Sequence, residues 1–437
     1  MDFLIAFVIF MSSIIACLLM NISLCYALTL GLICFFMIGL HRKFRAKDLL
    51  RMVYNGGKTS FIVIKILFFI GCLTALWRAS GTISFFVYYG IKIITPHMFI
   101  VVAFLLPLVL SFALGTSFGV VGTAGVMLMI LARSSGVNPL IVAGAIMSGA
   151  YFGDRCSPAS SAAALTANVS NVNQKDYMKM MLKTSVFPVA VTLAVFIFLS
   201  VKNPIDAANT DILSALSNSF NLSWYVVLPA VIILILPWFK VSILNAIVAS
   251  GITAFILALH CQGETFSASL KACFFGYTAA SETLGNVLSG GGVISMIEVM
   301  IIVLLSSTYS GIFDGTGMLK PIQEKIGGVA NLIGLFPTQI ITAVLSASVF
   351  CNQTVPTVLA AQMLGNVYEE KGVSREELST DIGNSIITIA GLIPWSIAAT
   401  VPLTMMEVGS GALIYSVLLY AVPISYLLTK KVWYKTL

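Results

Sequence analysis

Charge is what this chain has least of. Only 9% of its 437 residues are Asp, Glu, Lys or Arg, against roughly 25% in average soluble domains. A water-soluble globular domain is excluded on that ground. Histidine is scarcer still, with His41, His97 and His260 the whole complement. No HExxH or P-loop pattern is present, so neither a zinc hydrolase nor a nucleotide hydrolase is expected, and the chain reads as no enzyme. The eight cysteines show no CxxC spacing and lie mostly within apolar runs. They read as small buried hydrophobes rather than disulfides or metal ligands. What fills the chain instead is apolar sequence, 59% of it. It recurs in runs of about 18 to 22 residues, the length that a bilayer requires. The expected fold is an all-α polytopic membrane protein in contact with membrane lipid. No cofactor and no nucleic-acid partner are expected.

The few charges are unevenly placed. Arg42, Lys43, Arg45, Lys47, Arg51 and Lys58 crowd one short stretch after two apolar runs, and Lys430, Lys431 and Lys435 follow the last run. By the positive-inside rule these regions face the cytoplasm, which places both termini there in a multi-pass protein of the cell membrane. Phe3–Met20 lacks a positive leader and flows into a second apolar run, so it reads as a retained span. Residues 202–222 carry Asp206, Asp211 and several Asn and Ser with Lys202 as the sole base, and are read as an external linker.

Four polar interruptions fall inside otherwise apolar segments. Gly153-Asp154-Arg155-Cys156-Ser157-Pro158 interrupts a helix over about 139–167, and Gly391-Leu392-Ile393-Pro394-Trp395-Ser396 interrupts one over about 381–407. The Gly/Thr/Ser tip at 115–123 separates two apolar arms, as does the tip at 350–357. Unwound backbone at membrane depth is tolerated only where protein buries it or it lines a wet cavity. Ser117 and Pro158 are 41 positions apart, and Asn352 and Pro394 are 42. Interrupted segments at matching places in two halves point to a transporter binding site. The expected division is 1–58, N-terminal spans and a basic loop; 59–201, a first repeat with a hairpin at 112–133; 202–222, the linker; and 223–437, a second, inverted repeat with a hairpin at 338–366.

The motifs Ser80-Gly81-Thr82, Gly115-Thr116-Ser117 through Gly122-Thr123, Ser148-Gly149-Ala150-Tyr151-Phe152-Gly153-Asp154-Arg155, Ser157-Pro158, Gly315-Thr316-Gly317 and Leu392-Ile393-Pro394-Trp395 resemble the NhaC family of the ion-transporter superfamily. The likeness runs from about residue 60 to the end and is most specific at 148–158. It implies two inverted repeats, each with a re-entrant hairpin and a broken helix, a mobile transport region on a scaffold, and a homodimer. It also implies sodium/proton antiport, malate/lactate exchange or amino-acid transport. Three positions depart from the family's pattern. Ala159-Ser160-Ser161-Ala162 lacks the acid that commonly follows the Ser-Pro pair. Asn352-Gln353 stands for the usual Asp-Gln, and Asn384-Ser385 for a frequent Asp. Each change keeps polarity and removes a titratable group. Asn and Ser still offer neutral oxygens to sodium or hydrogen bonds to a solute.

The expected substrate and ion site is therefore the meeting point of tips and breaks: Thr116, Ser117, Gly119, Thr123, Gly153, Asp154, Ser157, Pro158, Asn352, Gln353, Thr354, Asn384, Pro394 and Ser396. Na+ is the expected coupling ion, held near Ser117, Asp154 and Asn352. Asp154, Glu298 and Asp314 are the candidate coupling acids. Asp154 is read either as an ion ligand or as a partner of Arg155, and Arg155 either as that partner or as a clamp for an anionic solute. Glu298 is functional if deep and merely solvated at an interface. Asp314 doubles as a helix cap, and Glu407 reads as interfacial. The expected function is cation-coupled secondary transport of a small carboxylate-bearing metabolite such as an amino acid or hydroxy acid. The alternatives are sodium/proton antiport without an organic substrate, a channel, and a membrane enzyme.

Overall fold

A computed structural model describes residues 2–20, 22–93, 97–204, 210–239, 241–279, 284–285, 288–317 and 328–433. It is helical throughout those residues, with one isolated antiparallel bridge between Tyr277 and Gly290. In chain order the first half comprises α1 (Asp2–Leu19), α2 (Leu24–His41), α3 (Ala46–Ala79), α4 (Thr82–Ile93), α5 (Phe99–Leu114), α6 (Ser117–Val120), α7 (Val126–Ser134), α8 (Pro139–Cys156), α9 (Ser161–Val169) and α10 (Gln174–Lys202). A π-helical turn, Val121–Gly125, joins α6 to α7 without a gap. The second half comprises α11 (Thr210–Ser219), α12 (Leu228–Ile235), α13 (Ile243–Cys261), α14 (Phe266–Phe275), α15 (Ile297–Thr316), α16 (Leu335–Phe350), α17 (Thr354–Glu370), α18 (Arg375–Gly383), α19 (Ile386–Ala390), α20 (Ile397–Met405) and α21 (Val417–Trp433).

Six helical stretches among the described residues are long and apolar enough to cross a membrane, or seven if the pair Leu213–Ser219 and Trp224–Ile235, bent by 102°, counts as one span. The basic stretch is less of a loop than expected. Only Arg42–Arg45 separates α2 from α3, and Lys47, Arg51 and Lys58 ride on α3 itself. Likewise Lys430 and Lys431 belong to the last turn of α21 rather than to a tail, while Lys435 lies outside the described residues.

Packing follows two devices. The first is close approach of helices at small residues. A Cβ on Gly56 of α3 would lie 2.4 Å from the Ser307 carbonyl oxygen of α15, and one on Gly311 would lie 2.2 Å from that of Met52. The same device seats α8 on α5: a Cβ on Gly149 would meet the Phe104 carbonyl oxygen at 2.3 Å, and one on Gly153 the Ser111 carbonyl oxygen at 2.1 Å. The second is an aromatic chain through the core. Phe10 of α1 meets Phe35 of α2 at 5.6 Å, Phe35 meets Phe313 of α15 at 4.6 Å, and Phe313 meets Phe350 of α16 at 5.6 Å, all near edge-to-face. It fixes the second tip, which follows Phe350, against the N-terminal helices.

Candidate functional site

The first tip is built by two local rules. α5 ends at Gly115 in the left-handed region (φ 70°), a conformation that L side chains resist. Space forbids a side chain as well, since a Cβ there would stand 2.4 Å from the Ala159 carbonyl carbon. Thr116 is then the extended N-cap of α6, its hydroxyl accepting from Gly119 N–H at 3.3 Å. The turn aims the start of the next helix at the end of α8. There the Asp154 carboxylate accepts from Ser117 N–H at 2.9 Å and from Ser117 Oγ at 2.6 Å. A helix N-terminus and a hydroxyl together hold a carboxylate by charge-assisted bonds. Ser160, the N-cap of α9, donates to the Asp154 carbonyl at 2.7 Å, so both sides of the break are tied to this residue. Asp154 is buried. The Gln353 side chain from the second tip interacts with the same carboxylate, while Gln353 Oε1 is buried without a hydrogen-bond partner.

Arg155 does not pair with its neighbour. Its Nη1 donates to Asn384 Oδ1 at 3.0 Å, and its Nη2 donates to the Met181 carbonyl at 3.1 Å and to the Ser185 hydroxyl. Thr184 Oγ1 donates to the same Asn384 oxygen at 3.2 Å. One residue of helix rotates the side chain by about 100°, and that sends the acid and the base to different faces of α8, one toward α6 and the other toward α10. The guanidinium is buried among neutral groups of α10 and of the α18–α19 break.

The second tip repeats the backbone and changes the chemistry. α16 ends on Cys351, again left-handed (φ 54°). Asn352 turns inward on its own loop, its Oδ1 accepting from Val355 N–H at 3.0 Å and its Nδ2 donating to the Phe350 carbonyl at 2.8 Å. Ile397 N–H donates to the Cys351 carbonyl at 2.7 Å, and Trp395 Nε1 to that of Ser348 at 3.0 Å, which clamps the start of α20 on the tip. Tyr151 of α8 donates to the Ala398 carbonyl and so joins the two breaks. Beside this tip lies a cavity of about 720 Å³. Met52, Gly56 and Ser60 of α3 form one wall, Ser307 and Ser310 of α15 a second, and Asn352–Val355 with Ile397, Ala398 and Phe118 the rest.

The family model described as "Na+/H+ antiporter family" matches residues 3–201 and 149–429. The chain belongs to the Na+/H+ antiporter family. It is 27% identical over 372 residues to the malate-2H+/Na+-lactate antiporter of Bacillus subtilis, covering 82% of this chain and 78% of that one. It is 28% identical over 363 residues to the arginine/ornithine antiporter ArcD of Halobacterium salinarum, covering 79% and 74%. It is 26% identical over 362 residues to the Na+/H+ antiporter NhaC of Alkalihalophilus pseudofirmus, covering 80% and 77%. The family is one of antiporters rather than enzymes, and with its apolar helices this chain is a multi-pass protein of the plasma membrane, for which membership implies Na+ as a coupling ion.

Of the residues expected at the antiporter's site, the structure brings Ser117, Asp154 and Gln353 together. Asn352, Thr354 and Gln353 line the cavity. The others do local work. Thr123, within the π turn, donates from Oγ1 back to the Gly119 carbonyl at 2.7 Å. Ser157 Oγ caps Ala159 N–H, and Ser396 is the N-cap of α20. Gly153 packs α8 on α5 and Asn384 anchors Arg155. Pro158 is exposed, its carbonyl accepting from Gln174, and Pro394 sits in the turn before α20. Glu298 is exposed in the first turn of α15, where Ser23 donates to it. The Asp314 side chain lies outside the described residues. Gly115-Thr116-Ser117-Phe118-Gly119 has the GxSxG spacing of a nucleophile elbow, but it follows a helix and its serine donates to a carboxylate with no imidazole between.

Two charged clusters went unforeseen. Arg78 and Arg133 both pair with Glu407, at 3.2 and 2.7 Å, which joins α3, α7 and the end of α20. Glu377 and Asp381 of α18 both meet Lys430 of α21. Arg78 inside an apolar run was a readable signal, since a charge at such depth is functional or paired by default. The Asp381–Lys430 contact was not, because it spans 49 residues.

Proposed function

We propose that this antiporter-family chain exchanges a small carboxylate-bearing metabolite, an amino acid or hydroxy acid, against sodium or protons. The observation that carries the reading is the cavity beside the second tip. Its volume sits within the range of about 300 to 1,000 Å³ usual for small-molecule sites. Its polar lining is neutral amides and hydroxyls, joined by the starts of α17 and α20. Side-chain amide and hydroxyl donors beside two helix N-termini suit a solute carboxylate. Gln353 lines the cavity and also reaches the Asp154 carboxylate. One side chain thus touches both the solute space and the candidate cation site.

We assign sodium to Asp154, Ser117 and the free Gln353 Oε1, in place of Asn352, whose amide is spent on its own loop. Hard neutral oxygens beside one carboxylate are suitable ligands for that ion. The two tip-and-break units are read as halves of inverted repeats, with both termini cytoplasmic and two copies per functional unit. The relatives named for malate, lactate, arginine and ornithine exchange support an organic substrate. The test is exchange in proteoliposomes. Labelled malate, lactate, arginine and ornithine are each offered under a sodium gradient, and saturable, sodium-dependent counterflow of one of them is expected. Robust sodium/proton exchange with no solute requirement would replace this reading by plain antiport.

A further inference from the structure

The cluster at the end of α3 plays no part in the site above, and its charges do not balance. Arg78, in the last turn of α3, is 1% exposed. Its Nη2 donates to Glu407 Oε1 at 3.2 Å, while its Nε and Nη1 are buried with no hydrogen-bond partner. Arg133, in the last turn of α7, donates to the other oxygen of the same carboxylate at 2.7 Å. Arg133 Nη2 also donates to the Met406 and Glu407 carbonyls at 2.8 and 2.9 Å. Its guanidinium is thus fastened to the end of α20 by backbone as well as by charge. Glu407 stands just past α20 at φ 54°, in the left-handed region, with 35% of its side chain exposed.

Two guanidiniums therefore share one carboxylate. Glu407 and Arg133 are the charged groups that act on Arg78 among the described residues, which leaves a net charge of plus one. A buried cation with unmet N–H groups is costly. Guanidiniums hold carboxylates best through paired donors, and Arg78 has one bond. The wall beside it is glycine backbone. A Cβ on Gly291 (φ 74°) would come within 2.6 Å of Arg78 Nη1, and one on Gly290 within 3.1 Å of Glu407 Oε1. Such a turn yields more readily than packed side chains. Glu407 acts as a tethered, partly exposed stand-in for a ligand. We propose that Arg78 and Arg133 form a binding site for the carboxylate of a small anion, which enters by displacing the Glu407 side chain toward solvent. This site is separate from the cavity. Val63, the last α3 residue on the cavity wall, lies 15 positions before Arg78, about 22 Å along the helix. Displacement of Glu407 would also release α20 from α3, and α20 starts at Ile397 on the cavity wall. That the anion is the exchanged metabolite rests on the function proposed above; that the arginine pair binds a carboxylate does not.

The test is the melting temperature of the full chain in lipid nanodiscs as acetate replaces chloride, at fixed pH, sodium concentration and ionic strength. Wild type should show a saturable rise. Glu407→Gln removes the competing carboxylate, so half-saturation should fall to an acetate concentration at least about tenfold lower. Arg78→Gln should remove the rise. Arg133→Gln should shift half-saturation at least about fivefold higher, and it reports in place of Arg78→Gln if that variant does not fold. A purely structural ion pair would lower the melting temperature in every variant without moving the acetate response in opposite directions. The proposal is overturned if wild type shows no saturable rise, which is also the result of equal binding of chloride. It is overturned if Glu407→Gln weakens the response or leaves it unchanged. It is overturned, too, if the arginine variants respond as wild type does, the outcome of acetate binding in the cavity alone. Failure to find a transported solute would count against the proposed function and leave these readouts intact.

Discussion

The two tips share a backbone and divide the chemistry. Each ends its apolar helix on a left-handed residue, Gly115 in the first and Cys351 in the second. Each is met by the start of a helix that follows a break. The first tip then turns its serine outward to a carboxylate on another helix. The second turns its asparagine inward on its own loop and leaves Gln353 to face across. A shared fold thus carries one charged half and one neutral half. The acid sits where small residues let α8 approach α5, and the amide half opens on the cavity.

The sharpest way to break the pairing is at the left-handed residues. Gly115→Ala adds a Cβ 2.4 Å from backbone at a positive φ, and is expected to destabilise the chain by about 3 kcal/mol or more, read as a fall in melting temperature. Next comes the charge. Asp154→Asn should weaken sodium-dependent thermal stabilisation of the purified protein by about 10- to 100-fold in apparent sodium affinity; an unchanged sodium response would move the ion elsewhere. A smaller contrast lies in the hydroxyl and amide. Ser117→Ala removes a bond to a buried carboxylate and should cost about 2 kcal/mol, whereas Asn352→Ala loses a local cap and should cost about 1 kcal/mol. Chemical denaturation of both variants checks the order. The smallest effect is expected at Cys351→Gly. Relief of the left-handed strain, about 1 kcal/mol, offsets the lost thiol contact with Tyr309 at 3.5 Å, so stability should move by less than about 1 kcal/mol.

The breaks were legible because they are local. Gly, Pro, Ser and Asn at 115–117, 157–160, 351–353 and 391–396 interrupt apolar runs, and the structure unwinds close to each. Side-chain direction was not legible. Nothing in Asp154-Arg155 says that the two diverge, or in Asn352-Gln353 that the first serves its own loop and the second reaches across. Those choices depend on which helix lies opposite. Lys430 showed in the sequence only as one of three lysines after the last apolar run, because its partners Glu377 and Asp381 on α18 are distant in sequence.

α3 runs unbroken for 34 residues, about 50 Å at 1.5 Å per residue. Met52, Asn55, Gly56 and Ser60 near its start wall the cavity, while Arg78 in its last turn is clasped by Glu407. Gly56 pins it to α15 by backbone contact and leaves little room to slide. A stiff rod held near one end and clasped at the other can pivot but not telescope. Any tilt that widens the chamber at Met52 must therefore be accompanied by displacement at Arg78, so the two ends of the molecule cannot rearrange independently.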